Sequence, residues 1–130
     1  MPAAHAYLLM IGTCISCVFN NSSSVPTSEG LTYNIELAVH EACTNIIEHA
    51  YSGLPGSIKL EFMLRENPQQ LVVNLFDNGR SFEYAASRTP NLDEPQIRGY
   101  GLFIIKNLMD TVDYCSDANG NSWHLVKNLA

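Results

Sequence analysis

Residues 41–51 read Glu41-Ala42-Cys43-Thr44-Asn45-Ile46-Ile47-Glu48-His49-Ala50-Tyr51. An acid, an amide and an imidazole are set into an otherwise apolar helical pattern. At about 100° per residue, Glu41, Asn45, Glu48 and His49 fall on one narrow stripe. Ile35, Val39, Ala42, Cys43, Ile46, Ile47 and Ala50 fall on the adjoining broad arc, which is expected to face a core. The Asn45 amide oxygen can ligate Mg²⁺, a hard cation that prefers oxygen. The Glu41 carboxylate, one turn away, can orient or deprotonate a nucleophile. Taken alone, the stripe is more commonly a solvated helix face. The rest of the chain decides between the two.

Working outward, the helix is expected from about Ser28 to Tyr51, with Ser28 or Thr27 as its N-cap. Ser52-Gly53-Leu54-Pro55-Gly56 ends it. Ser57 to Arg65 alternates, with Ile58, Leu60, Phe62 and Leu64 on one face, as a half-buried strand does. Asn67-Pro68-Gln69-Gln70 turns the chain. Leu71 to Phe76 is apolar on both faces except at Asn74, which predicts a central strand paired antiparallel with the first. Asp77 to Arg98 has no period and reads as a long loop, of the kind that is usually functional or disordered. Tyr100 to Val112 returns to helix, with Leu102, Ile105, Leu108, Met109 and Val112 on one side. Tyr114 to Ser116 and Ser122 to Leu129 form a last hairpin around Asp117-Ala118-Asn119-Gly120.

Before the long helix, Tyr7 to Phe19 is uncharged and mostly apolar. It is too short to span a bilayer and lacks the basic flank of a signal peptide. Leu8, Ile11, Ile15, Val18 and Phe19 suit a buried helix, and so apolar an element can serve a subunit interface. Asn20 to Pro26 follows as a polar, Ser-rich loop. Cys14-Ile15-Ser16-Cys17 has the spacing of a redox or zinc pair. No second close pair completes a zinc site, so these thiols are expected to be buried as small hydrophobes. A reduced, cytoplasmic setting follows from that reading.

The bulk numbers agree with one domain over residues 1–130, with 1–27 as an N-terminal helix and loop. Apolar content of 46% and charged content of 15% fit a globular chain. A net charge of −6 with seven basic residues argues against general nucleic-acid binding, which rests on neutralising phosphates. A phosphate ligand remains open if backbone N–H groups and one or two cations hold it. The elements together predict an α+β fold: a two-layer α/β sandwich with a mixed, mainly antiparallel sheet and helices on one face.

Two further pieces carry chemistry. Asp77-Asn78-Gly79 follows the central strand directly. A carboxylate there can read a ligand's donor group, such as the exocyclic amine of adenine, although Asp-Asn-Gly is also a common turn. Arg98-Gly99-Tyr100-Gly101-Leu102 opens a helix, where glycines let backbone N–H groups approach a phosphate and Arg98 adds a charge-assisted contact. The sequence contains no P-loop and no complete dinucleotide fingerprint.

The order of these pieces is more specific than any one of them. Glu-x-x-x-Asn-x-x-x-His-Ala-Tyr, then Asp-x-Gly-x-x-Phe, then Arg-Gly-x-Gly-Leu, then Gly-Asn-Ser before a last strand resembles the GHKL-type ATP-binding fold. Within that superfamily the chain is most similar to the anti-sigma-factor serine-protein kinases, over about residues 28–130. The resemblance implies a bacterial kinase that uses ATP and Mg²⁺. Such a kinase phosphorylates a serine of an anti-sigma-factor antagonist, sequesters a sigma factor, and can form a homodimer. It implies Glu41 as the base that prepares the serine hydroxyl and Asn45 as the Mg²⁺ ligand. Asp77 would bind the adenine amine, with Gly79 giving the ring room. Arg98 would lie near the γ-phosphate or the docked partner. Gly99, Gly101 and Leu102 would line the phosphates through backbone groups, and Ser122 would stand near adenine. His49 is assigned to the scaffold. Ser81 replaces a glycine of many relatives, and the family's first strand is missing or very short. The rival readings are an ATP-binding regulatory module without phosphotransfer and a histidine-kinase catalytic domain. The latter lacks a phosphoacceptor helix, since His40-Glu41 lies inside the nucleotide helix.

Overall fold

The computed structural model describes residues 1–20, 29–81 and 100–129, with the side chains of Glu29 and Tyr100 left aside. Its helices are α1 (Met10–Asn20), α2 (Glu29–Asn45) and α3 (Tyr100–Leu108). Its strands are β1 (Lys59–Arg65), β2 (Gln70–Asp77), β3 (Thr111–Asp117) and β4 (Gly120–Asn128). The strands form one sheet in the order β1-β2-β4-β3, and every described ladder is antiparallel.

The central place of β2 follows from its sequence. Leu71, Val72, Val73 and Leu75 are fully buried, which only a strand flanked on both sides achieves. Leu71, Val73 and Leu75 face the helices together with Trp123 and Leu125 of β4. Ile35, Val39, Ala42, Cys43 and Ile46 of the long helix pack on them, with Leu102, Ile105 and Met109 from the α3 side. This is the two-layer sandwich expected, with its core between one sheet face and the helices.

The last turn of the long helix departs from α geometry. Residues Ile46–Ala50 form a π-helix, and Tyr51 N–H donates to the Ile46 carbonyl five residues back, at 3.1 Å. Such a widened turn is uncommon and is found mostly at functional sites. Ser52 and Gly53 then take φ of 52° and 77° and release the chain toward β1.

Helix α3 ends earlier than its apolar pattern implied. Val112 lies in β3, because Asp110 N–H already pairs with the Val126 carbonyl at 2.8 Å. Met109 and Val112 share helical spacing, but Val112 and Tyr114 also share a strand face, and the ladder to β4 wins. The last hairpin is correspondingly longer than expected.

The N-terminal helix packs as foreseen on its apolar side. Ile11, Ile15 and Phe19 join the common core. Its thiols do not: Cys14 and Cys17 are both exposed, against the expectation of burial. On α1 they fall outside the buried arc of Ile11, Ile15 and Phe19, so helical phase overrides the tendency of cysteine to bury. Residues 1–3 run beside the start of β1 through a single bridge, Pro2 to Ser57, flanked by Ala3 N–H to the Gly56 carbonyl at 2.8 Å. The Ser-rich stretch from Asn21 and most of the loop after Asp77 lie outside the described residues.

Candidate functional site

The site is built where the end of α2, the end of β2 and the start of α3 meet. Glu41 and Asn45 are half-buried, one turn apart on α2. Gly101, at the start of α3, lies directly against them. A Cβ added there would stand 3.0 Å from Glu41 Oε2 and 3.3 Å from Asn45 Oδ1. Glycine lets the helix start approach the acid and the amide this closely without displacing either. Two oxygen-bearing side chains and a helix N-terminus therefore converge on one spot.

The Asn45 side-chain nitrogen is buried and has no hydrogen-bond partner among the described residues. Leaving a buried donor unpaired costs about 1–3 kcal/mol, so its setting is one that a ligand would complete. Glu41, Thr44, Asn45, Glu48, His49 and Gly101 all line a single cleft of about 710 Å³. The polar stripe read from the sequence thus lines a cleft, with Glu41, Asn45 and His49 half-buried and Glu48 exposed at its rim.

The strand end supplies the second half. Asp77 is 4% exposed, a depth at which a carboxylate requires partners. Its Oδ1 accepts from Gly79 N–H at 2.9 Å and from Asn121 Nδ2 at 2.8 Å. Both of these bonds end on Oδ1, and Oδ2 is the oxygen through which the carboxylate could read a ligand's donor. Asn45 and Asp77 border the same small void beside Trp123 and Tyr114, which makes the two halves neighbours.

Asn121 is the residue that sequence reasoning missed. It is as buried as Asp77. Its amide nitrogen reaches Asp77 Oδ1, the Gly79 carbonyl at 2.9 Å and the Arg80 carbonyl at 3.3 Å. Two protons serve three acceptors, so the longest contact is the weakest. Its amide oxygen accepts from Ser116 Oγ at 2.6 Å. Ser122, the residue chosen from the sequence, pairs with Phe76 on the sheet face away from the helices. Strand alternation decides between them: Asp77 faces the helices, so its cross-strand partner Asn121 does too. Register was the missing signal.

Gly79 serves close packing. A Cβ there would fall 2.5 Å from the Ala50 carbonyl oxygen, and the adjacent Arg80 N–H donates to that same oxygen at 2.7 Å. The π-turn and the loop after β2 are thereby fastened together. Tyr51 adds a second tie, donating its hydroxyl to the Ser57 carbonyl at 2.6 Å and accepting from Asn78 N–H at 3.1 Å. Leu102 points into the core at 6% exposure, leaving only its backbone for the cleft. Arg98 and Gly99 lie outside the described residues.

Residues 12–127 match the histidine kinase-like ATPase domain family. The chain belongs to that family. It is 34% identical over 108 residues to the serine-protein kinase RsbW of Halalkalibacterium halodurans, across 74% of this chain and 65% of that protein. It is 31% identical over 129 residues to the serine-protein kinase RsbW of Bacillus cereus, across 90% of this chain and 75% of the relative. For the Staphylococcus aureus protein of the same name the figures are 32% over 126 residues, 86% and 74%. The chain thus spans between 65% and 75% of the length of these relatives. Among solved structures, the histidine kinase domain of the Erythrobacter litoralis EL346 blue-light activated histidine kinase superposes with a TM-score of 0.62. That likeness covers 99% of this chain and 62% of that one at 21% identity, and it concerns the fold. Among the described residues, no helix is long and apolar enough to cross a membrane.

Proposed function

We propose that this ATPase-family chain is a serine-protein kinase that also acts as an anti-sigma factor. It would transfer the γ-phosphate of ATP to a serine of an anti-sigma-factor antagonist and sequester a sigma factor. The observation that carries this reading is the packing of Gly101 against Glu41 and Asn45. It joins an acid, an amide oxygen and a helix N-terminus at one end of a cleft. The kinase names of relatives above 30% identity over most of the chain agree with it.

The donor set fits the group it would hold. When bound, MgATP supplies the phosphoryl group, and its cation offsets the negative charge on the phosphates. Asn45 offers an amide oxygen suited to Mg²⁺ and a buried nitrogen that still lacks a partner. The backbone at Gly101 and Leu102 would meet phosphate oxygens at the positive end of α3, and Gly99, placed by sequence alone, would add to them. Arg98 would add a charge-assisted contact on the same side.

Asp77 Oδ2 would accept from the adenine amine, while Asn121 and Gly79 hold Oδ1 and fix the carboxylate's plane. In this reading Asn121 takes the place beside adenine that Ser122 had on sequence grounds. Glu41 would take the serine hydroxyl proton on its carboxylate, leaving the oxygen free to attack in line. Catalysis of this kind rests on positioning and charge, which is what a rigid helix pair and a close glycine contact provide.

The test is reconstitution of the chain with labelled ATP, Mg²⁺ and a candidate antagonist. Label on an antagonist serine is the expected result. ATP bound without transfer would reduce the chain to a regulatory binding module, and no ATP binding would overturn both readings.

A further inference from the structure

The Cys14-x-x-Cys17 pair is not used by the nucleotide site, and the structure gives it a setting of its own. Both thiols are exposed on α1, and Met10 of the same helix is 51% exposed. The spacing of Met10, Cys14 and Cys17 is i, i+4, i+7, which at 3.6 residues per turn confines them to an arc of about 60°. Ile11, Ile15 and Phe19 form a separate, buried arc of the helix. The helix is closely seated on α2, since a Cβ on Gly12 would stand 2.7 Å from Glu36 Oε1. Three sulfur atoms are therefore displayed in one row on a firmly packed element.

Two outcomes compete for such a pair: an internal disulfide or a shared ligand. A disulfide needs Cβ atoms about 3.5–4.5 Å apart. Helical neighbours three apart hold theirs at about 5–6 Å, so closing the bond would distort the helix. The wider gap suits two sulfurs that meet at an intervening ion. Among the described residues, no group of three His, Cys, Asp or Glu side chains could hold a metal. That disfavours Zn²⁺, which takes four such ligands in structural sites. It leaves soft ions that accept thiolate and thioether sulfur, of which Cu(I) is the type.

We propose that Cys14 and Cys17, with Met10 as a weaker third donor, form a surface site for a soft cation of the Cu(I) class. Binding exchanges two thiol protons for one monovalent ion, so the site gains one negative charge net and releases two protons. No electron is transferred. The other two cysteines are built-in controls. Cys43 is buried, and Cys115 stands exposed on β3, across from Ser122.

The test is anaerobic titration of the full chain with Cu(I) against a chromogenic Cu(I) chelator such as bicinchoninate. One equivalent retained by the wild type is expected. Cys14→Ser and Cys17→Ser should each weaken retention by at least about 100-fold, the upper range for outer-shell changes at metal sites. Met10→Leu should cost less, and Cys115→Ser should leave retention unchanged. Both serine changes are on the exposed helix face, and unchanged ATP affinity would verify that the variants are folded. Failure of the wild type to compete with the chelator would overturn the site. So would equal retention by a folded Cys14→Ser/Cys17→Ser variant, or loss of retention in Cys115→Ser.

Discussion

At the scale of single residues, the proposed tasks of the acid and the amide on α2 are separable by experiment. Glu41→Ala should leave ATP affinity within a few-fold and lower phosphotransfer by about 10²–10⁴, the usual worth of a positioned general base. Binding and single-turnover transfer measured on the same preparation check this. Asn121 offers a different signature. Its removal takes one of two hydrogen bonds from the buried Asp77 carboxylate and the side-chain donor from the Gly79 carbonyl, so Asn121→Ala should cost about 1–3 kcal/mol of stability and weaken nucleotide binding together. Denaturant titration with and without ATP would display both losses. A variant with normal stability and normal affinity would remove Asn121 from the account.

Cys43 gives the clearest dependence on pH. Burial among Ile35, Val39 and Leu75 pushes its thiol up from 9.0 to about 12. In the unfolded chain the thiol ionises near its ordinary value, so between about 9 and 12 the unfolded state binds fewer protons than the folded one. Stability therefore falls as pH rises through that window. Cys43→Ala should flatten this slope, and urea midpoints measured from pH 8 to 11 would reveal it. The same burial makes Cys43 slow to react with thiol reagents in the folded protein, whereas Cys14, Cys17 and Cys115 are accessible.

At the scale of elements, the close approach of α3 to α2 rests on one missing methyl group. Gly101→Ala places a carbon 3.0 Å from Glu41 Oε2. The acid can shift, so the fold should survive while ATP affinity falls by about tenfold or more, equivalent to about 1.4 kcal/mol. Gly79→Ala meets backbone instead, at 2.5 Å from the Ala50 carbonyl, and cannot be relieved by a rotamer change. It should therefore destabilise the fold itself by about 1–3 kcal/mol. Thermal melts paired with ATP titrations separate the two behaviours.

The same elements mark what could be read from the chain. The β1–β2 hairpin was legible because period-two alternation at Ile58, Leu60, Phe62 and Leu64 is unambiguous, and the burial of β2 followed from its unbroken apolar run. The end of α3 was not, because Val112 satisfies both periods and only the partner strand decides. The π-turn at Ile46–Ala50 leaves no compositional trace, since it is a choice of hydrogen-bond partner among residues that all favour helix. Glu41, Asn45 and Asp77 were proposed from residue type and order, and the fold brings Glu41 beside Asn45 and Asn45 beside Asp77. Asn121 was passed over for its neighbour because assigning a strand residue to a face requires register, which a one-residue shift inverts.

At the scale of the molecule, one sheet face and three helices make the core, and the chemistry lies at one end of that sandwich. The arrangement places the buried Asp77 carboxylate at a strand end and an acid–amide pair on a helix, with Gly101 of α3 against that pair and one small void bordered by both Asn45 and Asp77. The most direct measurement is transfer of γ-labelled phosphate to a candidate antagonist by the wild type and by Glu41→Ala, with ATP affinity determined for both. Serine labelling by the wild type, near-equal ATP affinities, and labelling by the variant lower by at least about a hundredfold are the expected results if Glu41 is the base; this assignment is what the comparison tests. Equal labelling by the two proteins would contradict it.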